Sequence, residues 1–175
     1  MRNILIFLAV LLAAVLQASV MPQLALANVT PSLVLAGVLA WAIWPQEQKP
    51  IWIFLVPALL LDLVVGRPFG LLTLNLMLVF FGVDWLASSF FKQSNWPAIF
   101  SLTLIGVLFF ELGNWLLSWI FAALGLAASL KFSAFYFYAT WPTSLILNGF
   151  LCLVVWWLFN QIRFIKSNGP ITKFK

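Results

Sequence analysis

The sequence predicts an all-α integral membrane protein, a compact bundle of about six transmembrane helices with five as the alternative count. Two observations carry this. Of 175 residues, 65% are hydrophobic and only 7% are charged, where a soluble domain carries roughly a quarter, so most of the outside must face lipid. Short polar or Gly/Pro breaks also divide the chain into apolar runs, at 4–21, 32–44, 51–65, 71–91, 98–124 and 143–164. The chain reads as one polytopic domain over 1–175, with no room for a soluble one.

The first run follows Arg2 and precedes an Ala25-Leu26-Ala27 tripeptide, a pattern shared with cleavable signal peptides. Pro22 and the return of apolar sequence after Pro31 favour a retained helix. Pro31 is placed for the first turn of the second run. That run ends at Trp44-Pro45 and a Gln46–Lys49 polar turn. The second and third runs are short for a bilayer, so they tilt little, thin it locally or form a partly re-entrant hairpin. The fourth, 71–91, has good spanning length.

From 98 the chain stays apolar to about Leu130. As one helix that would be ~50 Å, against a bilayer core of about 30 Å, so a break is expected at Gly125 or Gly113. Phe132–Trp141 holds Tyr136 and Tyr138 and reads as an interfacial segment. The last run leads into a short basic tail. Three Trp-Pro pairs, at 44–45, 96–97 and 141–142, fall at run ends, where an indole bridges lipid and headgroup.

The positive charges predict orientation. With six spans, seven basic residues (Arg2, Lys49, Lys92, Arg163, Lys166, Lys173, Lys175) lie on the side of the termini and two (Arg67, Lys131) on the other. This predicts both termini on the cytoplasmic side of the membrane. The net charge of +5 is spread between runs rather than gathered in a patch, so it argues for membrane topology and against nucleic acid. With no histidine and a single cysteine, Cys152, the usual proton relays, zinc sites and disulfides are missing from the inventory. No metal and no cofactor are expected.

Ionisable groups inside the apolar runs are the natural functional candidates, because each costs about 2.5–3.5 kcal/mol at a helix centre. Asp62 sits near the end of the third run, where the helix dipole disfavours an anion. Arg67 is the nearest cation, Gly66 suits a left-handed cap, Pro68 stops the helix, and Gly70 lets the next helix start close to its neighbour. The segment 62–70 therefore reads as a hairpin with a charged pin, either structural or a docking corner for a partner. Glu111 has Asn114 near it on one helix face and Gly113 allowing close helix contact. A protonated Glu111 bonded to Asn75 or Asn114 is the expected state. Asp84 is within reach of Lys92, and Gln17 and Asn148 are expected to hydrogen-bond across helices. The pairs Ala9/Ala13 and Ala14/Ala18 supply small-residue spacing on the first helix.

Taken in order, these features resemble the MreD family of rod-shape-determining proteins. The carrying segments are Leu16-Gln17-Ala18, then Pro31-Ser32-Leu33-Val34-Leu35, then Asp62-Leu63 with Gly66 and Gly70, then Asn148-Gly149 ahead of a basic tail. The resemblance implies a non-enzymatic scaffold of the rod complex, or elongasome. Its partners would be MreC, RodA and penicillin-binding protein 2, with the MreB cytoskeleton reached indirectly. It also implies a fold similar to the substrate-binding subunits of energy-coupling-factor transporters. The alternative function is such a transport subunit. The alanine pairs favour it slightly, but the outer connections offer few polar groups for a ligand. An intramembrane enzyme is the poorest reading, because no Ser/Lys, paired-Asp or His-Glu set appears at catalytic helical spacing.

Overall fold

The computed structural model describes residues 2–25, 29–44, 50–66, 68–90, 96–126 and 140–167. Among them the chain is helical, without a β-strand. The elements are α1 (Arg2–Ser19), a 3-10 turn (Met21–Leu24), α2 (Leu33–Ile43), α3 (Trp52–Val65), α4 (Leu71–Phe90), α5 (Trp96–Ala123) and α6 (Trp141–Ser167). Three segments are long and apolar enough to cross a bilayer by length and composition: Leu71–Ser89, Pro97–Ala123 and Trp141–Leu158.

The short helix α2 is the axis of the bundle. It packs against all five other α-helices, and every residue from Val34 to Ala42 except Gly37 is buried. Its 11 residues make a rod of only ~16 Å, about half the thickness of a bilayer core. Ser32, not Pro31, starts it. The Ser32 backbone is extended and its hydroxyl accepts the Leu35 N–H at 3.2 Å, an N-cap that satisfies one of the free donors of the first turn. Pro31 lies one residue outside.

Around this axis the outer helices are apolar on both faces. On α4, Leu72, Leu76, Val79 and Val83 are buried while Leu74, Leu78, Phe81 and Trp85 are exposed. A helix that is hydrophobic all round has no solvated side, as lipid contact requires. On α1, Val10 and Ala14 enter the core whereas Ile4, Leu8 and Leu12 stay exposed, so this helix is a packed member of the bundle. Of its alanine pairs, Ala14 is buried and Ala9 is exposed.

Of the two break positions expected, the one at Gly125 is found and the one at Gly113 is not. α5 passes through Gly113 without a break, and its 28 residues reach ~42 Å. The chain turns only beyond Ala123, where Gly125 takes φ 72°. Gly113 serves packing instead: a Cβ there would overlap Asn75 Oδ1 of α4. The interfacial segment expected at 132–141 lies outside the described residues up to 139, and Trp141 opens α6.

Candidate functional site: two carboxyl groups within helices and a polar cavity

Successive helices reverse direction, so the end of α1, the start of α2, the end of α3 and the starts of α4 and α6 meet at one end of the bundle. Nearly all the buried polar groups lie there. They form two separate arrangements.

The first centres on Asp62, which is completely buried. Its Oδ1 accepts the Leu72 N–H at 3.0 Å; its Oδ2 accepts the Thr73 N–H at 3.1 Å and the Thr73 hydroxyl at 2.8 Å. Asp62 thus caps α4 from the neighbouring helix. The residue ahead of Leu71 is Gly70, which has no side chain to cap with, and the carboxylate of α3 does that work. An anion at the positive end of α4 is favoured, which offsets its poor position at the end of α3. Gly66 ends α3 with φ 69° and ψ 23°, a left-handed conformation that costs other residues roughly 1–2 kcal/mol. Gly70 has φ 88° and open space where a Cβ would stand, so backbone conformation, not close helix approach, explains a glycine there. Arg67, the expected counter-ion, lies outside the described residues, as does Lys92, the expected partner of Asp84.

The second arrangement is a hydrogen-bond chain through four helices. Glu111 of α5 accepts from the Ser144 hydroxyl of α6. Ser144 Oγ accepts from Asn148 Nδ2 at 2.9 Å, and Asn148 Oδ1 accepts the Ser32 N–H at 2.7 Å. Gln17 of α1 completes it, its Oε1 accepting the Val34 N–H at 2.9 Å and the Ser32 hydroxyl at 3.3 Å. Gln17 and Asn148 do bond across helices, and together with Ser32 they occupy backbone donors at the start of α2. Glu111 is bonded to Ser144, where the sequence suggested Asn75 or Asn114. Asn75 instead donates to the Phe110 carbonyl at 2.8 Å, tying α4 to α5.

Glu111, Asn114, Ser144, Asn148, Ser32 and Gln17 all face one cavity of about 420 Å³, closed on its apolar side by residues such as Phe110 and Leu61. Thr30 and Val64, which also line it, are exposed. Asn114 Oδ1 is buried with no hydrogen-bond partner.

Sequence reasoning missed Ser32, Thr73 and Ser144. A serine directly ahead of an apolar run is a helix-start signal, and Ser144/Asn148 at i, i+4 is a legible pair. The link from Asp62 to Thr73 has no comparable local signature.

Fold and site define a polytopic helical membrane protein whose helix ends are locked by buried polar bonds and surround a polar cavity. Its family is a shape-determining one: the chain belongs to the MreD family, the model of rod shape-determining protein MreD matching residues 1–165. No curated protein and no solved structure gives a significant match.

Proposed function

We propose that this chain is a non-enzymatic membrane scaffold of the rod complex, linking MreC, and through it the MreB cytoskeleton, to RodA and penicillin-binding protein 2 during side-wall elongation. The observation that carries the reading is the family match over residues 1–165. The seven-to-two distribution of basic residues supports cytoplasmic termini, which puts the polar end of the bundle on the outer side.

Binding, not chemistry, is the mechanism. The corner between α3 and α4 exposes Leu63, Val64, Val65 and Phe69, while Asp62, Gly66 and Gly70 hold its shape from beneath. This corner, with Arg67, is the docking surface we favour; Glu111 and Asn148 keep the adjoining helix ends in register, with Asn114 beside them.

A second reading, a small-molecule transport subunit with a fold similar to energy-coupling-factor binding subunits, gains one supporting observation: the cavity supplies the polar groups that the outer connections lack. Gentle extraction of the tagged chain from its native membrane, followed by mass spectrometry of what accompanies it, separates the two. Recovery of MreC, RodA or a penicillin-binding protein is the expected result. Recovery of a paired ATPase with a membrane coupling subunit would overturn the scaffold reading.

A further inference from the structure

The outer faces of the bundle differ in apolar depth. We propose that the bilayer is thinned to about 21 Å of hydrocarbon where it meets α3, so that this face is a binding surface for short-chain phospholipid, while α5 stands in membrane of ordinary depth.

Both α2 and α3 are too short to cross a core of about 30 Å, but they differ in what surrounds them. α2 is enclosed by the other helices, so its length makes no demand on the membrane. α3 lies at the rim between α1 and α4, and Trp52, Val56, Leu60 and Leu63 form an exposed apolar stripe along it. Its 14 residues rise ~21 Å. Polar sequence closes both ends, Gln46–Lys49 before it and Arg67 after it, so the apolar length does not extend into the connections. The favoured docking corner takes in only the far end of this stripe; Trp52, Val56 and Leu60 lie outside it.

The neighbouring helix marks the same boundary. Asp62 bonds the first turn of α4, and α4 runs antiparallel to α3, which sets the start of α3 level with Gly82 and Val83. Asp84 and the exposed Trp85 follow directly, although α4 continues to Phe90. An ionisable side chain flanked by exposed indoles on both helices, Trp52 and Trp85, belongs at a membrane–water interface. On α5, by contrast, exposed apolar residues run from Phe100 to Ile120, ~30 Å and a full core. A helix shorter than the bilayer is accommodated by thinning, by snorkelling of flanking side chains or by oligomerising. The level of Asp84 and Trp85 favours thinning, because it draws in the interface on the next helix as well. The proposal concerns the chain in its bilayer and does not rest on which proteins the scaffold holds.

The test uses the full chain in nanodiscs of dioleoylphosphatidylcholine. Single nitroxides are attached through cysteines replacing Trp52, Leu60 or Leu63 on α3 and Phe100 or Ile120 on α5, in a Cys152→Ser background. Their depths are read by power saturation with oxygen against a nickel chelate. Trp52 and Leu63 lie ~17 Å apart along the helix, so their two depths should add up to about 4 Å in a thinned core, against about 13 Å in a core of full thickness. Phe100 and Ile120 should both read close to the headgroup boundary. Should the labelled variants fail to fold, the unmodified chain gives an independent reading through its Tm in a lipid series from dimyristoleoyl- to dierucoylphosphatidylcholine. The highest Tm is expected in the two shortest lipids, with a fall of several degrees by the longest. Depths at Trp52 and Leu63 that add up to the full-core value would overturn the proposal. So would a Leu60 label shielded from oxygen, the sign of a second copy over this face, or a Tm that is flat or highest in the longest lipid.

Discussion

Asp62 and Glu111 are both carboxylic side chains within apolar helices, yet they are built into the protein in opposite ways. Asp62 is closed: fully buried, with three donors of α4 converging on its two oxygens. Glu111 is half-buried at a cavity wall, bonded to a hydroxyl that is itself one link in a longer chain. The contrast separates two uses of an expensive group. One stabilises a helix start that lacks its own cap. The other ties α5 to a chain of polar groups along a cavity wall.

Breaking the closed site should have the larger effect. Asp62→Leu leaves the Leu72 and Thr73 N–H groups and the Thr73 hydroxyl without acceptors, and each buried orphan costs about 1–3 kcal/mol. A loss of ~3 kcal/mol or more is expected in reversible SDS-titration unfolding in mixed micelles, while membrane insertion persists because leucine suits the bilayer. A loss near zero would show that Asp62 is not holding α4.

The contact between the two sites comes next. Gly113→Ala places a methyl group where Asn75 Oδ1 now sits and pushes the Asn75 amide off the Phe110 carbonyl. Overpacking with a lost buried hydrogen bond predicts a cost of roughly 1–3 kcal/mol in the same assay. Asn75→Ala in the Gly113→Ala background should then cost less than in wild type, a non-additivity measurable by a double-mutant cycle.

Glu111→Gln sharpens the comparison from the other side. The Gln Oε1 can still accept from Ser144, so the expected stability change is under about 1 kcal/mol. A loss as large as that of Asp62→Leu would mean that Glu111 holds its helix as firmly as Asp62 does, and the distinction between the capping carboxylate and the cavity-wall carboxylate would fail.

Much of the architecture was legible in advance, for local reasons. The apolar runs lie close to the helices, since breaks at Gln46–Lys49, at Gly66–Gly70 and after Phe90 combine polar residues with the helix-stopping chemistry of Gly and Pro. Gly113 carried both readings, because a glycine inside an apolar run looks alike whether it breaks a helix or admits a neighbour's side chain. Asn75 decides between those roles, and it lies on another helix. The candidate site was legible in part. Asp62, Glu111, Gln17 and Asn148 stand out because polar groups in hydrocarbon are costly, whereas the hydroxyls that complete their bonding are inexpensive anywhere and carry no such mark.

By itself, then, the sequence determined that this is a helical membrane protein, roughly where each helix starts and stops, and which polar side chains needed partners. Only the tertiary structure decided the pairings: Asp62 with an element 10 residues on, Glu111 with Ser144 33 residues away, Asn148 with Ser32 116 residues away. The physical reason lies in the helices' apolar faces. Where lipid and protein core are equally apolar, no amphipathic stripe reports which side of a helix turns inward. Helix rotation and register, and with them every cross-helix hydrogen bond and the cavity they surround, are settled only when all six helices pack together.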